Sequence, residues 1–203
     1  MSRNKFAYLD AWYNHHIDPV NRLIYFGSIE SNFEEESGID HRAAEYLIKS
    51  LAALDLAAPD GDQPITIILS NTGGEIYAGM AAFDAIQMTK NEVHILVMGP
   101  CMSMAAVLLQ AADRRILSPN STLMIHSGVS GYWGHPEDLQ RWAKEQKRLD
   151  EWCDTLFLNK IRQKHPKFSK KDVSKLVQFD TFLTAKQAVE YGLADAVFGE
   201  KQK

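Results

Sequence analysis

Cysteine is scarce in this chain, and what there is forms no framework. Cys101 and Cys153 are far apart, and neither belongs to a Cys-x-x-Cys pair. A disulfide scaffold and a structural zinc are therefore excluded as organising principles. The two read as ordinary thiols of a reducing, cytoplasmic setting. Long apolar runs are also missing. The longest, Met98 to Ala112, is interrupted by Ser103 and Gln110 and is too short to span a bilayer. Met1 to His16 lacks the apolar core of a signal peptide, so no membrane role is expected. Basic blocks are absent too. With 22 Lys+Arg against 26 Asp+Glu and a net charge of −4, nothing offers the concentrated cationic face that a nucleic acid needs. No Gly-x4-Gly-Lys-Ser/Thr loop occurs, so any dependence on ATP must come from another protein. There is no solenoid repeat and no low-complexity segment, and no cofactor is expected.

What remains is a chain of ordinary globular composition, 203 residues with 45% hydrophobic and 24% charged, enough for one well-filled core. Leu23 to Phe26, ending at Gly27, reads as a buried strand. From Asp40, placed as an N-cap, Ala44, Leu47, Ile48, Leu51 and Leu54 recur at helical steps. Ala58 to Asp62 is a turn, Ile65 to Leu69 a strand, Gly73-Gly74 a break, and Ala78 to Met88 a helix. The unit repeats with a strand over Val93 to Met98, a break at Gly99-Pro100, and a helix over Met104 to Ala112. Leu123 to Ile125 is a further strand ending at His126. Successive strand–turn–helix units predict an α/β fold with mainly parallel strands. Pro136 to about Lys164 reads as one long charged helix, with Trp142 and Trp152 among its apolar residues. Such a length on a small domain predicts that part of it projects toward another subunit. A helix near Ala185 to Tyr191 and a strand near Ala194 to Phe198 close the pattern.

One turn carries candidate chemistry. In Gly99-Pro100-Cys101-Met102-Ser103-Met104-Ala105-Ala106 a strand ends and a helix of small residues begins. That places Ser103 near free backbone N–H groups, where negative charge is favoured. A serine hydroxyl still needs a neighbouring base to act as a nucleophile, and a plain N-cap role fits the same fragment. Of seven histidines, five lie in polar or terminal contexts, and His94 heads an apolar strand as a candidate edge residue. His126 alone closes a strand, on the side where open α/β sheets place their sites. Asp180, between Phe179 and Thr181-Phe182, is an acid in an apolar stretch that needs a partner if buried. Asp84, Asp113 and Asp195 compete with it, and residue chemistry alone leaves the choice open. Gly73-Gly74 would let backbone N–H groups approach a substrate oxygen, or form a plain turn.

At these residues the chain resembles the proteolytic subunits of the Clp protease family, from about Asn21 to Phe198. The nucleophile segment is matched by Cys101-Met102-Ser103-Met104-Ala105-Ala106. The histidine segment is matched by Ser118-Pro119-Asn120-Ser121-Thr122-Leu123-Met124-Ile125-His126. Asp180 to Ala185, with Ala188 and Tyr191 to Asp195, matches the family's ending, and Asn71-Thr72-Gly73-Gly74 stands at its glycine loop. The resemblance implies Ser103 as nucleophile, His126 as general base and acid, and Asp180 as the acid that orients it. It implies an oxyanion hole from the backbone N–H groups of Gly74 and Met104. It also implies a substrate-pairing strand over Val129, Ser130, Gly131 and Tyr132.

By the same resemblance the fold is a Clp/crotonase-like superhelix of repeated β-β-α units over residues 1–203. A divergent segment covers 1–20, and a projecting handle helix lies within about 129–165. The expected activity is a serine endopeptidase acting on unfolded polypeptides or short peptides. It would work as a homo-oligomer of two stacked heptameric rings, served by a separate AAA+ unfoldase. Three departures stand out. Gly128 replaces a proline after the histidine, Phe179 stands at an arginine used between rings, and Thr66, Ile68 and Met88 occupy docking positions that are often aromatic. The docking positions weaken the case for a conventional ATPase partner and, with the divergent start, favour a phage-type relative with a restricted substrate. A non-catalytic ring subunit or a crotonase-like acyl-CoA enzyme is a rival of a different class.

Overall fold

The structure is a computed structural model that describes residues 3–27, 38–61, 63–128, 131 and 134–200. Its centre is a mixed sheet in the order β1-β2-β3-β4-β5-β8, with β6 and β7 branching from β4. The strands are β1 (Ile17–Asp18), β2 (Leu23–Gly27), β3 (Ile65–Asn71), β4 (Val93–Met102), β5 (Arg114–Leu117), β6 (Thr122–Ile125), β7 (Thr181–Thr184) and β8 (Ala196–Val197). Pairing is parallel from β2 through β8 and between β4 and β6, and antiparallel at β1–β2 and β6–β7. The helices are α1 (Arg3–His15), α2 (His41–Ala57), α3 (Ile76–Met88), α4 (Met104–Leu109), α5 (Leu139–Arg162), α6 (Lys170–Val177) and α7 (Ala185–Tyr191). The α/β expectation with mainly parallel strands therefore holds.

Burial alternates along the strands. Ile65, Ile67, Leu69 and Asn71 of β3 are buried, while Thr66, Ile68 and Ser70 are only partly covered. One face of the sheet thus carries the core and the other is half open, the period-2 pattern of a sheet covered on one side. α2 closes the covered face with Ala44, Leu47, Leu51 and Leu54. Its N-cap is Asp40, whose carboxylate accepts the Ala43 N–H at 2.8 Å.

The predicted break at Gly99-Pro100 is not a break. β4 runs through it and exchanges neighbours, pairing with β5 over His94 to Val97 and with β6 over Pro100 to Met102. The register with β3 shifts between Leu69↔Val97 and Asn71↔Cys101, so the strand bulges there. Gly99 takes the left-handed conformation (φ 83°) that the bulge requires, and a proline is tolerated at such an irregularity. His94 is also not an edge residue, because β4 lies between β3 and β5. α4 is shorter than expected, ending at Leu109, and a short 3-10 turn over Pro136–Asp138 precedes α5.

α5 is 24 residues long and buries only Leu149, Phe157, Leu158 and Ile161. Trp152 packs into the domain, edge-on to Phe83 at 5.4 Å, so it is no anchor for another subunit. Leu139 and Trp142, nearer the start of the helix, remain exposed. Among the described residues no helix is long and apolar enough to cross a membrane.

Candidate active site

Ser103 sits on the single residue that separates β4 from α4. Its backbone has φ 52° and ψ −121°, a conformation that costs a non-glycine residue about 1–3 kcal/mol. The surrounding backbone holds it there. The Ser103 N–H donates to the Met124 carbonyl of β6 at 2.8 Å, and its carbonyl accepts from Ala106 and Val107 in α4. The hydroxyl does not cap the helix, although Ser103 occupies the N-cap position. Instead Ser103 Oγ lies 2.7 Å from His126 Nε2. The hydroxyl thus meets an imidazole rather than the helix backbone.

His126 follows β6 directly, and its imidazole is largely covered. Its second nitrogen, Nδ1, lies 3.1 Å from Asp180 Oδ1. An ionised carboxylate can only accept, so it holds the proton on Nδ1 and leaves Nε2 free to accept the Ser103 hydroxyl. The three side chains form one relay in the order hydroxyl, imidazole, carboxylate. Asp180 is not buried, since its side chain is 57% exposed and Phe179 and Phe182 beside it face outward. The burial argument for this acid therefore fails, and its partner is fixed by strand register instead. The competing acids are engaged elsewhere or distant in role. Asp113 accepts the Val93 N–H, Asp195 pairs with Arg115, and Asp84 lies exposed on α3.

The glycine loop after β3 presses on the serine turn. A Cβ on Gly73 (φ +107°) would stand 2.7 Å from Ser103 Cβ and 2.8 Å from the Met102 carbonyl oxygen, so only glycine fits. Asn71, fully buried, accepts the Gly73 N–H at 2.8 Å and donates to the Gly27 carbonyl, which sets the loop's path. Gly74 bridges to Ile39, the residue before the α2 N-cap. Gly74 and Met104 both line the cleft that contains Ser103 and His126. As the first residue of α4, Met104 has no carbonyl one turn earlier for its N–H. Of the expected substrate strand, Val129, Ser130 and Tyr132 lie outside the described residues, and Gly131 is exposed coil with no atom within 4 Å of a Cβ placed there.

The cleft measures about 470 Å³ and is walled by α5 on one side. Sequence reasoning missed the residues that α5 contributes: Gln146, Asp150, Cys153 and Asp154. Their spacing of three, four and eight was a legible sign that they share one helix face. Burial, helped by Asp150 and Asp154, pushes the Cys153 thiol up to about 12, so it stays protonated and packs as an apolar group. Burial first, and then Asp150 and Glu151, raise the pKa of Asp154. Among the described residues no cluster of three or more His, Cys, Asp or Glu side chains could hold a metal.

The sequence profile of the Clp protease family matches residues 15–201. The ATP-dependent Clp protease proteolytic subunit of Deinococcus radiodurans is 34% identical over 167 residues, covering 81% of this chain and 78% of that protein. With the match running over nearly the whole chain, this protein belongs to the Clp protease family and is a serine-type peptidase.

Proposed function

We propose that the chain is an endopeptidase subunit that cleaves unfolded polypeptides and short peptides, with Ser103 as nucleophile, His126 as base and acid, and Asp180 as its orienting acid. The observation that carries this reading is the 2.7 Å contact between Ser103 Oγ and His126 Nε2, made at the expense of a helix cap. His126 Nε2 takes the hydroxyl proton as Oγ attacks the scissile carbonyl. The oxyanion that forms is met by the N–H groups of Gly74 and Met104. His126 then returns the proton to the leaving amine, which leaves an acyl ester on Ser103. Water, activated by the same imidazole, hydrolyses that ester.

The same reading takes 1–203 as one domain of repeated β-β-α units, with 1–20 as a divergent segment and about 129–165 as the handle. It takes Val129 to Tyr132 as the strand that pairs with substrate. It places the subunit in a cytoplasmic chamber of two stacked heptameric rings, fed by a separate AAA+ unfoldase. Thr66, Ile68 and Met88 replace residues that are often aromatic at the docking positions, which weakens the case for a conventional ATPase partner and favours a specialised one. A non-catalytic subunit or an acyl-CoA enzyme would leave the aligned Ser103–His126–Asp180 relay without a use. The test is reaction with a fluorophosphonate, followed by intact mass and peptide mapping. Modification at Ser103, lost in Ser103→Ala together with peptide hydrolysis, supports the assignment. No modification, or full hydrolysis by the alanine variant, removes it.

A further inference from the structure

The wall that α5 gives to the Ser103 cleft is acidic, and among the described residues it carries no cation. Asp150 and Asp154 stand four residues apart on α5, and both line the cleft with Ser103 and His126. Asp150 reaches the loop that follows the histidine. A Cβ placed on Gly128 would lie 3.6 Å from Asp150 Oδ1 and 3.4 Å from Gln146 Nε2. The other two acids of α5 have cationic partners, Glu145 with Arg148 and Glu151 with Lys147. Among the described residues Asp150 has the Gln146 amide, which donates to it at 2.8 Å, and no cation. Among the described residues no lysine or arginine pairs with Asp150 or Asp154, and none lines the cleft. Both carboxylates are half-buried. Such groups gain from a cation that enters with its own hydrogen-bond donors. The raised pKa of Asp154 has its origin in the same burial and crowding of like charge.

The wall also carries apolar groups, Ile76, Met104, Val107 and the neutral Cys153, beside Glu75, which pairs with His41. A cleft that offers both apolar surface and carboxylates suits a side chain with an aliphatic stem and a charged tip. We propose that this cleft selects substrates with lysine or arginine at the residue whose carbonyl Ser103 attacks, and that Asp150 and Asp154 determine that preference. The inference rests on Ser103 as the nucleophile. A neutral aliphatic side chain would bury the two carboxylates without a partner, and an acidic one would meet like charge.

The test uses the full chain and two peptidyl phosphonate probes that differ only in carrying a lysine or a norleucine side chain next to the reactive phosphorus. The readout is the rate of covalent modification of Ser103 by intact mass. The lysine probe is expected to react about tenfold faster or more, as discrimination by a built polar site allows. In Asp150→Asn/Asp154→Asn the ratio of the two rates should fall to near one. The ratio within one variant is unaffected by a general loss of activity. In Asp150→Glu/Asp154→Glu the lysine preference should persist. Equal or faster reaction of the norleucine probe with the unaltered chain would overturn the proposal. So would an unchanged ratio in the asparagine variant, and if that variant also lost mass in solution the carboxylates would belong to a subunit contact. A fluorophosphonate without a side chain serves as the control. If it modifies Ser103 and no preference is seen, only this proposal fails. If it does not, the nucleophile assignment fails and takes the proposal with it.

Discussion

Ile125 faces Thr181 across the β6–β7 ladder, so His126 and Asp180 form the next pair outward, and their Nδ1 and Oδ1 atoms lie 3.1 Å apart. The acid reaches the histidine by strand register. On the other side, the parallel pairing of Met102 with Met124 brings the Ser103 turn beside the end of β6. Two ladders that share β6 therefore bring three residues, separated by tens of positions in the chain, into one relay.

Asp180→Asn should leave both ladders intact, because they are built from backbone groups. It should disfavour the Nδ1–H tautomer that Nε2 needs as an acceptor. In a buried triad the equivalent change lowers kcat about 10⁴-fold. The exposure of Asp180 lets water take over part of its role, so a loss of roughly 10²–10³-fold is expected here. Peptide hydrolysis and fluorophosphonate labelling measure it, with thermal melts as the control. Full activity in this variant would remove Asp180 from the mechanism.

Gly73→Ala tests the loop that presses on the Ser103 turn. The new Cβ would meet Ser103 Cβ at 2.7 Å and the Met102 carbonyl oxygen at 2.8 Å, from a residue held at φ +107°. Neither neighbour is the free end of a flexible chain. A stability loss of about 1–3 kcal/mol is expected from the strained backbone and the overlap. Displacement of Ser103 should lower its labelling rate by about tenfold or more, since small misplacements at a reacting centre are costly. A variant with unchanged melting and unchanged labelling would show that the loop yields.

Much of this was legible from residue order, and the failures have physical causes. The α2 cap at Asp40, α7 with its closing Gly192, and the serine turn all follow local rules that act within a few residues. β4 was misread because Gly99-Pro100 is a local stop signal, overridden by the ladder to β6. β5 opens with Arg114-Arg115, and Arg115 is buried only because Asp195, Gln110 and the Gly192 carbonyl receive it. Nothing local announces that network. β7 is too short to show a period, yet it carries the partner of His126 into place. The acids of α5 were not assigned to a face: Glu145 and Glu151 pair with Arg148 and Lys147, whereas Asp150 and Asp154 line the cleft.

The Arg115–Asp195 pair predicts a pH dependence of stability. Burial pushes the Asp195 carboxyl up, but the Arg115 side chain, its N–H and its charge together outweigh that and leave the pKa below its ordinary value. A depressed carboxylate stabilises the fold above its unfolded pKa, and that contribution is lost as pH falls through the lowered folded value. Asp195→Ala should therefore cost about 1–3 kcal/mol near pH 7, because buried Arg115 keeps only the Gln110 and Gly192 oxygens and loses its counter-charge, while the partial exposure of Asp195 tempers the loss. The difference between variant and unaltered chain should narrow below about pH 4. Urea titrations at pH 7, 5, 4 and 3 supply the comparison. A difference that grows with acidity would contradict the sign.

The start of α5 predicts assembly. Trp152 is packed within its own domain, so the case rests on Leu139 and Trp142, three residues apart on one helix face and about half exposed. Together with Ile76 and Tyr77 they line a groove of about 570 Å³ between the start of α5 and the start of α3. An aromatic and a leucine beside a groove are the kind of anchor that dominates a protein interface, where a single buried tryptophan contributes about 2 kcal/mol or more. Multi-angle light scattering should give a mass several times the 22.9 kDa of one chain. Leu139→Asp/Trp142→Ser should shift the distribution toward smaller species, while the melting of the domain changes little because neither side chain belongs to the core. A mass of one chain at micromolar concentration, with peptide or covalent inhibitor present as well as absent, would show that the groove has another use.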